Sequence, residues 1–567
     1  MIVIGIVGFF SSFSGWGYLS YKVTILLSVF VLAGFTIFQL VNFYKEDIKK
    51  KVKERKYYLY SKSRVDPRIS LMGRIKIQIL NYFNDVISTI QFKPRLSFLL
   101  VGSSVLLGMF IPFALDNLCI CSQPITVSTR LTRAFQESYC KDKEICFVYL
   151  TLPEDPSNSM ILQVHTRNEP IETTVRLSKL DLPSSHPVEW KTNSFISVSE
   201  IIKEEPRFVS YIEFNSLSES TNYKFNFTIT TKDGPIKSVN YGFKTFSSGV
   251  GDGGLKFIVG GDLNLNSDAT DLARIGKDFN PDFVVIGGDI AYENGIGSCY
   301  RRWDEKINFL TQYFSYDQQY NSNNNNTNSN NNSFIKFLTP LLMSIGNHES
   351  GAFFQTHDQV PFYFKYFLFN IGDSKKPVKE RLSYHIHKLP FGISLASLDS
   401  CVVSTWDQQT QWLDNQWSNE KYNNTSKLVV YHHPIYTSRR NINDKIPTMG
   451  QKSIVPLFDH YKVPFAFENH EHLFKRTKPL FNNKAININN NSSLNSKLGT
   501  VYVGDGSWGT SKYNRKPQEA SENTLPWYLA KRSEINHLWF VTISNQEIIV
   551  EAFSPDNNKI DRVEYYR

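Results

Sequence analysis

The sequence predicts a chain of three parts: N-terminal transmembrane helices in residues 1–118, an all-β sandwich over 119–250, and an α/β domain over 251–567. Three observations predict it. Two long apolar runs near the N-terminus carry no charge, short alternating strands follow, and from Gly251 onward apolar runs end in polar, glycine-containing turns. At 567 residues the chain is also too long for a single core.

The two runs are Val23 to Phe43 and Leu96 to Leu115. Each approaches the roughly 20 residues that cross a bilayer as a helix. Between them, Lys45 to Arg95 holds 14 Lys/Arg against 5 Asp/Glu, out of 62 and 53 in the chain, which leaves 48 of each sign elsewhere. The formal charge of +9 therefore belongs to this loop. A polyanion-binding surface needs its charge on the folded domain, so no nucleic-acid partner is expected. A basic loop between two spans is expected on the cytoplasmic side, which puts everything after Leu115 in a lumen or outside the cell, with the lipid bilayer as a partner. Ile2 to Leu19, uncharged but rich in Gly and Ser, reads as a third span or an interfacial segment.

Cysteine placement agrees with that topology. Cys119, Cys121, Cys140, Cys146, Cys299 and Cys401 all follow the second span, as expected of disulfides on an oxidising side. The spacing of the first four does not suit zinc. Sequons at Asn226, Asn325, Asn331, Asn423, Asn424, Asn490 and Asn491 lie in the same part, so glycosylation is expected there.

From Ser122 to Ser248, alternating stretches such as Met160 to His165, Thr173 to Leu177 and Tyr223 to Ile229 read as strands of a sandwich. Ser197 to Glu204 is the one candidate helix. Phe214 to Leu217 followed by Thr221 to Tyr223 looks like the tyrosine corner of a fibronectin-type domain. His165 lies on a strand and reads as a packed or exposed residue with no catalytic role.

Beyond Gly251, Leu255 to Val259, Phe283 to Ile286, Leu341 to Met343 and Leu428 to Tyr431 read as buried strands, and polar side chains follow each. Sites in α/β folds lie beyond the carboxyl ends of strands. Five short motifs occupy such positions: Gly261-Asp262-Leu263-Asn264, Gly288-Asp289-Ile290-Ala291-Tyr292, Gly346-Asn347-His348-Glu349, Val429 to His432, and Asn469-His470-Glu471-His472. They offer oxygen and nitrogen donors with no thiolate, which suits iron, zinc or manganese. His470 and His472 can diverge from one turn toward two neighbouring ions, the usual device for phosphoryl displacement. Two Asn-rich tracts, Asn321 to Asn332 and Asn482 to Asn491, read as loop insertions.

These five motifs, in this order, resemble the calcineurin-like metallophosphoesterase superfamily and, within it, the plant-type purple acid phosphatases. The resemblance runs from about Leu255 to Val563 and includes the order of sandwich before catalytic domain. It implies a four-layer α-β-β-α fold and a binuclear metal centre of Fe(III) with Zn, Fe(II) or Mn. Asp262, Tyr292 and His472 would hold the first metal, Asn347, His432 and His470 the second, and Asp289 would bridge them. It also implies hydrolysis of phosphate monoesters by a metal-bound hydroxide. His348 would contact the phosphate or protonate the leaving group as the catalytic acid, and Glu349 would orient His348 or a ligand.

Two positions depart from the family's pattern. Asn469 stands where the family has Gly, and Asn tolerates φ > 0 well enough for the turn to survive. Asn264 stands where the family has Gly and many other metallophosphoesterases have His, which leaves the first metal dependent on Tyr292. Arg439 and Arg440 read as solvated loop residues, Asp505 as a turn residue, His433 as a poorer ligand candidate than His432, and Trp406 and Trp412 as core. A metallophosphodiesterase acting on nucleotides or lipid head groups stays open beside the monoesterase. So does a non-enzymatic membrane adhesion or scaffold protein, although every ligand position is filled.

Overall fold

A computed structural model describes residues 138–180, 187–202, 205–249, 254–321, 332–486, 499–510 and 525–567. The apolar runs, the basic loop, Cys119, Cys121 and much of both Asn-rich tracts lie outside the described residues. Among the described residues no helix is long and apolar enough to cross a membrane.

Residues 145–244 form β1 (Ile145–Thr151), β2 (Met160–Thr166), β3 (Pro170–Lys179), β4 (Val188–Thr192), β5 (Phe195–Ser197), β6 (Phe208–Phe214), β7 (Asn222–Thr231), β8 (Gly234–Lys237) and β9 (Tyr241–Lys244). The alternation that predicts strands also sorts their faces. In β7, Tyr223, Phe225, Phe227 and Ile229 are buried while the residues between them are not. One layer runs β1-β2-β6-β5 and the other β9-β7-β3-β4, and Leu162, Val175, Phe214, Phe225 and Phe243 meet between them. The Ser218 N–H donates to Tyr223 Oη at 2.8 Å, tying the chain after β6 to the start of β7 at the expected corner. The candidate helix at Ser197 to Glu204 is not formed among the described residues. Phe195–Ser197 pairs with β6 as a strand, and a turn follows.

The remainder contributes β10 (Leu255–Gly260), α1 (Ser267–Asp278), β11 (Phe283–Gly287), α2 (Tyr300–Tyr313), β12 (Ser315–Asn321), β13 (Asn332–Leu338) and β14 (Leu341–Ser344). Next come β15 (His385–Leu389), β16 (Ile393–Ser397), α3 (Trp406–Trp417), β17 (Ser426–Val430), α4 (Lys445–Ser453), β18 (Phe465–Phe467) and β19 (Phe474–Thr477). A small hairpin, β20 (Leu480–Phe481) with β21 (Lys484–Ala485), precedes β22 (Val501–Gly504), β23 (Leu529–Ser533), β24 (Leu538–Ile543), β25 (Glu547–Phe553) and β26 (Lys559–Tyr566). Asn266 caps α1 by accepting from Ala269 N–H, and Thr405 caps α3 in a reciprocal box with Gln408.

Two sheets result, one containing β26-β25-β24-β10-β11-β14 and the other β15-β16-β17-β18-β22-β19-β23. The apolar strands of the second sheet are buried on both faces, and their alternation shows against what. Leu395, Leu428, Val430, Phe465, Phe467, Val501 and Val503 join the core with the first sheet. Ala396, Val429, Tyr431, Ala466 and Tyr502 face Trp406, Leu413, Trp417 and Phe458 of the outer helices. On the far side of the first sheet lie Leu272 of α1 and Trp303 and Ile307 of α2. This is an α/β sandwich layered helix, sheet, sheet, helix. Burying one such Leu, Val or Phe contributes about 1.5–3 kcal/mol.

The β-sandwich and the α/β layers share sheets. Thr151 of β1 pairs in parallel with Leu341 of β14, and Lys336 and Phe337 of β13 pair with β9. Cys140 and Cys146 are bridged, Cys299 is also disulfide-bonded, and Cys401 is a buried free thiol. Trp406 is core, as expected, and so is His165, whose Nε2 lies 2.9 Å from Tyr149 Oη. β10, β11, β14, β17 and β18 all point their carboxyl ends at one place.

Candidate metal centre

Each of those five strands is followed within five residues by a residue of the centre, and the turns that deliver them are tight. Asp262, Asp289, Tyr292, His470 and His472 all have φ between +51° and +81°. That region costs a non-glycine residue roughly 1–2 kcal/mol, so specific contacts must hold it. Asp262 N–H donates to Gly288 O at 3.0 Å, and His472 N–H to Asp505 O at 2.9 Å. His470 N–H donates to Asp262 Oδ2 at 2.7 Å. Glu349, fully buried, does the most: it accepts from the N–H groups of Gly346, Asp289, Ile290 and Ala291 at 2.7–3.1 Å. It was expected to orient His348 or a ligand. It orients a ligand, through the backbone of Asp289, and so fixes the Asp289 turn to the Asn347 turn.

The seven side chains expected as ligands meet. His472 Nε2 lies 2.9 Å from Asp262 Oδ1, and Tyr292 Oη lies 3.3 Å from both. On the other side, His432 Nε2 lies 3.1 Å from Asn347 Oδ1, 3.0 Å from His470 Nδ1 and 3.2 Å from Asp289 Oδ1. His432 Nδ1–H donates to Gly287 O at 3.0 Å, which fixes Nε2 as the atom facing the centre. Two trios of this centre have donor atoms close enough to hold a metal ion: Asp262, Asp289 and His472, and Asp289, His432 and His470; a third such group elsewhere, Cys140 with Glu205 and Asp304, has its sulfur in a disulfide. Asp289 belongs to both. Its Oδ2 is buried and, among the described residues, has no hydrogen-bond partner, an expensive state for a carboxylate. The donor set therefore fits a pair of cations bridged by Asp289.

Burial and charge divide the titrating groups. Burial works against ionised Asp289, yet the imidazoles of His432 and His348 hold it below the usual carboxylate range. Burial likewise opposes charged His432, but Asp289 and Asp262 hold it up at about 9. Burial pushes His348 down to about 4 and raises Asp262. His348 lies 4.6 Å from the Tyr292 ring, ring centre to ring centre. Its Nδ1 is bonded to Asn294 Oδ1, and Nε2 is 3.8 Å from Asp289 Oδ2. Asn294 has no motif of its own and was not legible in the sequence.

Asn469 survives for a reason other than the expected one. Its φ is not positive; His470 carries the left-handed turn. The Asn469 amide donates to Tyr431 O at 2.8 Å and lies where a Cβ on Gly261 or Gly287 would collide with it, at 2.3 and 1.9 Å. Asn264 is a loop residue, its N–H bonded to Trp508 O. Asp505 is not a simple turn residue. It is buried and pairs with Lys475 Nζ at 2.9 Å, which also meets Glu468 at 2.6 Å. Glu468 in turn accepts from Tyr431 Oη and Ile435 N–H, so this group braces the strands that carry His432 and His470.

Residues 255–474 match the family model for calcineurin-like phosphoesterases. A curated relative, acid phosphatase type 7 from Mus musculus, is 22% identical over 168 residues, which is 27% of this chain and 37% of that protein. The match thus spans little more than a third of that relative's length. Among solved structures, purple acid phosphatase PPD1 from yellow lupin (Lupinus luteus) superposes with a TM-score of 0.57 at 14% identity, covering 74% of each chain. A structure of PhoD covers 73% of this chain and 91% of its own at a TM-score of 0.49 and 9% identity. The lupin likeness shows the fold.

Proposed function

We propose, from the premise that residues 255–474 are a calcineurin-like phosphoesterase segment, that the chain is a two-metal phosphatase of purple acid phosphatase type hydrolysing phosphate monoesters. The observation that carries this reading is Asp289, common to both trios, with a buried oxygen that no described residue completes. Asp262, Tyr292 and His472 hold one cation and Asn347, His432 and His470 the other. The phenolate of Tyr292 favours Fe(III) in the first site. When bound, the pair supplies Lewis acidity to phosphoryl oxygens and a nucleophile from water at or below neutral pH.

The chain's own residues do the rest. His348 is anchored through Nδ1 to Asn294 and keeps Nε2 on the centre, where it carries a proton to the leaving ester oxygen. Glu349 holds the amides of the Asp289 turn, so the bridging carboxylate does not have to reorganise. The two apolar runs and the basic loop support an N-terminal membrane anchor with the catalytic domain on the lumenal or extracellular face. Protease added to sealed vesicles should then spare Lys45 to Arg95 only when the catalytic domain is accessible, or the reverse.

Purified protein tests the central reading. It should be coloured by phenolate-to-Fe(III) charge transfer, and Tyr292→Phe should abolish the colour. It should hydrolyse phosphate monoesters faster than diesters. A colourless, divalent-metal enzyme that prefers diesters would refute the purple acid phosphatase assignment.

A further inference from the structure

Two buried cations stand beside the turns that carry the first metal's ligands. Arg302 and Lys306 lie four residues apart on α2 and so share one helix face, and they are 6% and 5% exposed. Arginine and lysine are rarely buried so deeply unless their donors are met, because taking the charge out of water is costly. Here both donate to main-chain carbonyls. Lys306 Nζ donates to Leu263 O at 2.5 Å, and Arg302 Nη1 donates to Tyr292 O at 3.1 Å and to Ala291 O at 3.4 Å. Leu263 follows Asp262, and Tyr292 is itself an expected ligand. One helix face therefore grips both of these ligand turns.

The turns need such a grip. Asp262, Asp289 and Tyr292 have φ of 54°, 51° and 59°, a left-handed conformation that non-glycine residues keep only when their surroundings hold it. Other bonds secure the amide side. Leu263 N–H donates to Asp289 O at 3.1 Å, and Glu349 accepts from the N–H groups of Asp289, Ile290 and Ala291. On the carbonyl side stand the two cations of α2. The second site is braced by different groups: Glu349 accepts from Gly346 N–H beside Asn347, and Glu468 accepts from Tyr431 Oη and Ile435 N–H on either side of His432.

We propose that Lys306 and Arg302 are positioning residues of the first metal site, holding the turns of Asp262 and Tyr292 so that these two ligands converge, a role that rests on the two-metal phosphoesterase reading. Tyr292 Oη lies 3.3 Å from Asp262 Oδ1, and this approach is what the bracing fixes. Because the grip falls on one site, its loss should separate the affinities of the two ions.

The test titrates the full chain with a competing chelator, resolves the affinities of the two ions and records the phenolate-to-Fe(III) band. Tyr292→Phe marks which ion is the first. Lys306→Met replaces the ammonium with an apolar side chain of similar length. It should weaken the first ion by about 10–100-fold, shift or weaken the band, and change the second ion far less. Arg302→Met should act in the same direction, and Lys306→Gln, which keeps an N–H donor, should restore part of the loss. Wild-type affinity for the first ion in both Met variants would overturn the bracing role while leaving the phosphoesterase reading intact. So would equal weakening of both ions, or a lowered unfolding midpoint with the ratio of affinities unchanged, which marks a merely structural role. A colourless wild type holding two divalent ions loses the Fe(III) assignment, and the ratio of affinities still decides the role of Lys306. A wild type that binds no pair of ions refutes the two-metal reading and the bracing role with it.

Discussion

At Glu205 and Asp304 a guanidinium compensates the buried carboxylates; at Asp262 and Asp289 the groups in ion-pairing reach are, among the described residues, imidazoles. Arg207 reaches Asp304 through both terminal nitrogens at 2.8 and 3.0 Å and Glu205 at 2.6 Å, with Phe147 and Tyr300 beside its face. That cluster joins the chain just before β6 to α2 and gives each of its two carboxylates a cationic partner. Asp289 is equally buried, yet one of its oxygens has no partner among the described residues and His432 and His470 beside it approach within 3.0 Å. Charges taken out of water must be compensated. Where the chain supplies the compensation the result is a joint; where it withholds it, the result is a place for cations.

His348→Ala should keep both metals yet lose roughly 10²–10⁴-fold in activity, and less with substrates whose leaving group needs no proton. Loss of a metal equivalent would make His348 a ligand and blur the boundary drawn here around the centre. At the joint, Arg207→Met strands two buried carboxylates and should cost about 3–5 kcal/mol in denaturant unfolding, with metal content per folded chain unchanged. A cost below about 1 kcal/mol would mean that the joint is not what holds β6 to α2.

A smaller effect comes from a third buried group. His385 and His387 are buried on β15, with His385 stacked on Phe369 at 4.0 Å and neither of its ring nitrogens hydrogen-bonded. Burial pushes His387 down to about 4 and also holds His385 well below its ordinary value. The sign follows from the depressed values: the neutral rings contribute stability above the unfolded value near 6.5, which is lost as pH falls toward the folded one. His387 alone should cost about 2 kcal/mol at pH 5 relative to pH 7. From pH 7 to pH 5 the wild type's unfolding midpoint should fall relative to that of His387→Leu. Parallel curves would exclude the effect.

The parts legible in the sequence are those written in neighbouring residues. Period-two burial in Tyr223 to Ile229 and continuous burial in Phe283 to Ile286 follow from composition within one strand. The five strand-end motifs are likewise local, and the fold brings their side chains together. What escaped joins distant positions: Arg207 with Asp304 across 97 residues, Tyr431 with Glu468 across 37, and His348 with Asn294 across 54. Asp505 read as a turn residue because Lys475, its partner, lies in another strand. Asn469 was assigned a backbone role because Gly261 and Gly287, the surfaces it fills, are glycines whose missing side chains carry no pattern.

The most direct test of the central claim counts metal ions per chain in the purified full-length protein and in Asp289→Asn. Because Asp289 belongs to both trios, the wild type should carry two ions and the variant should lose affinity for both together, with its unfolding curve otherwise retained. A wild type with one ion or none, or a variant that gives up a single ion and holds the other unchanged, would contradict a centre bridged by Asp289.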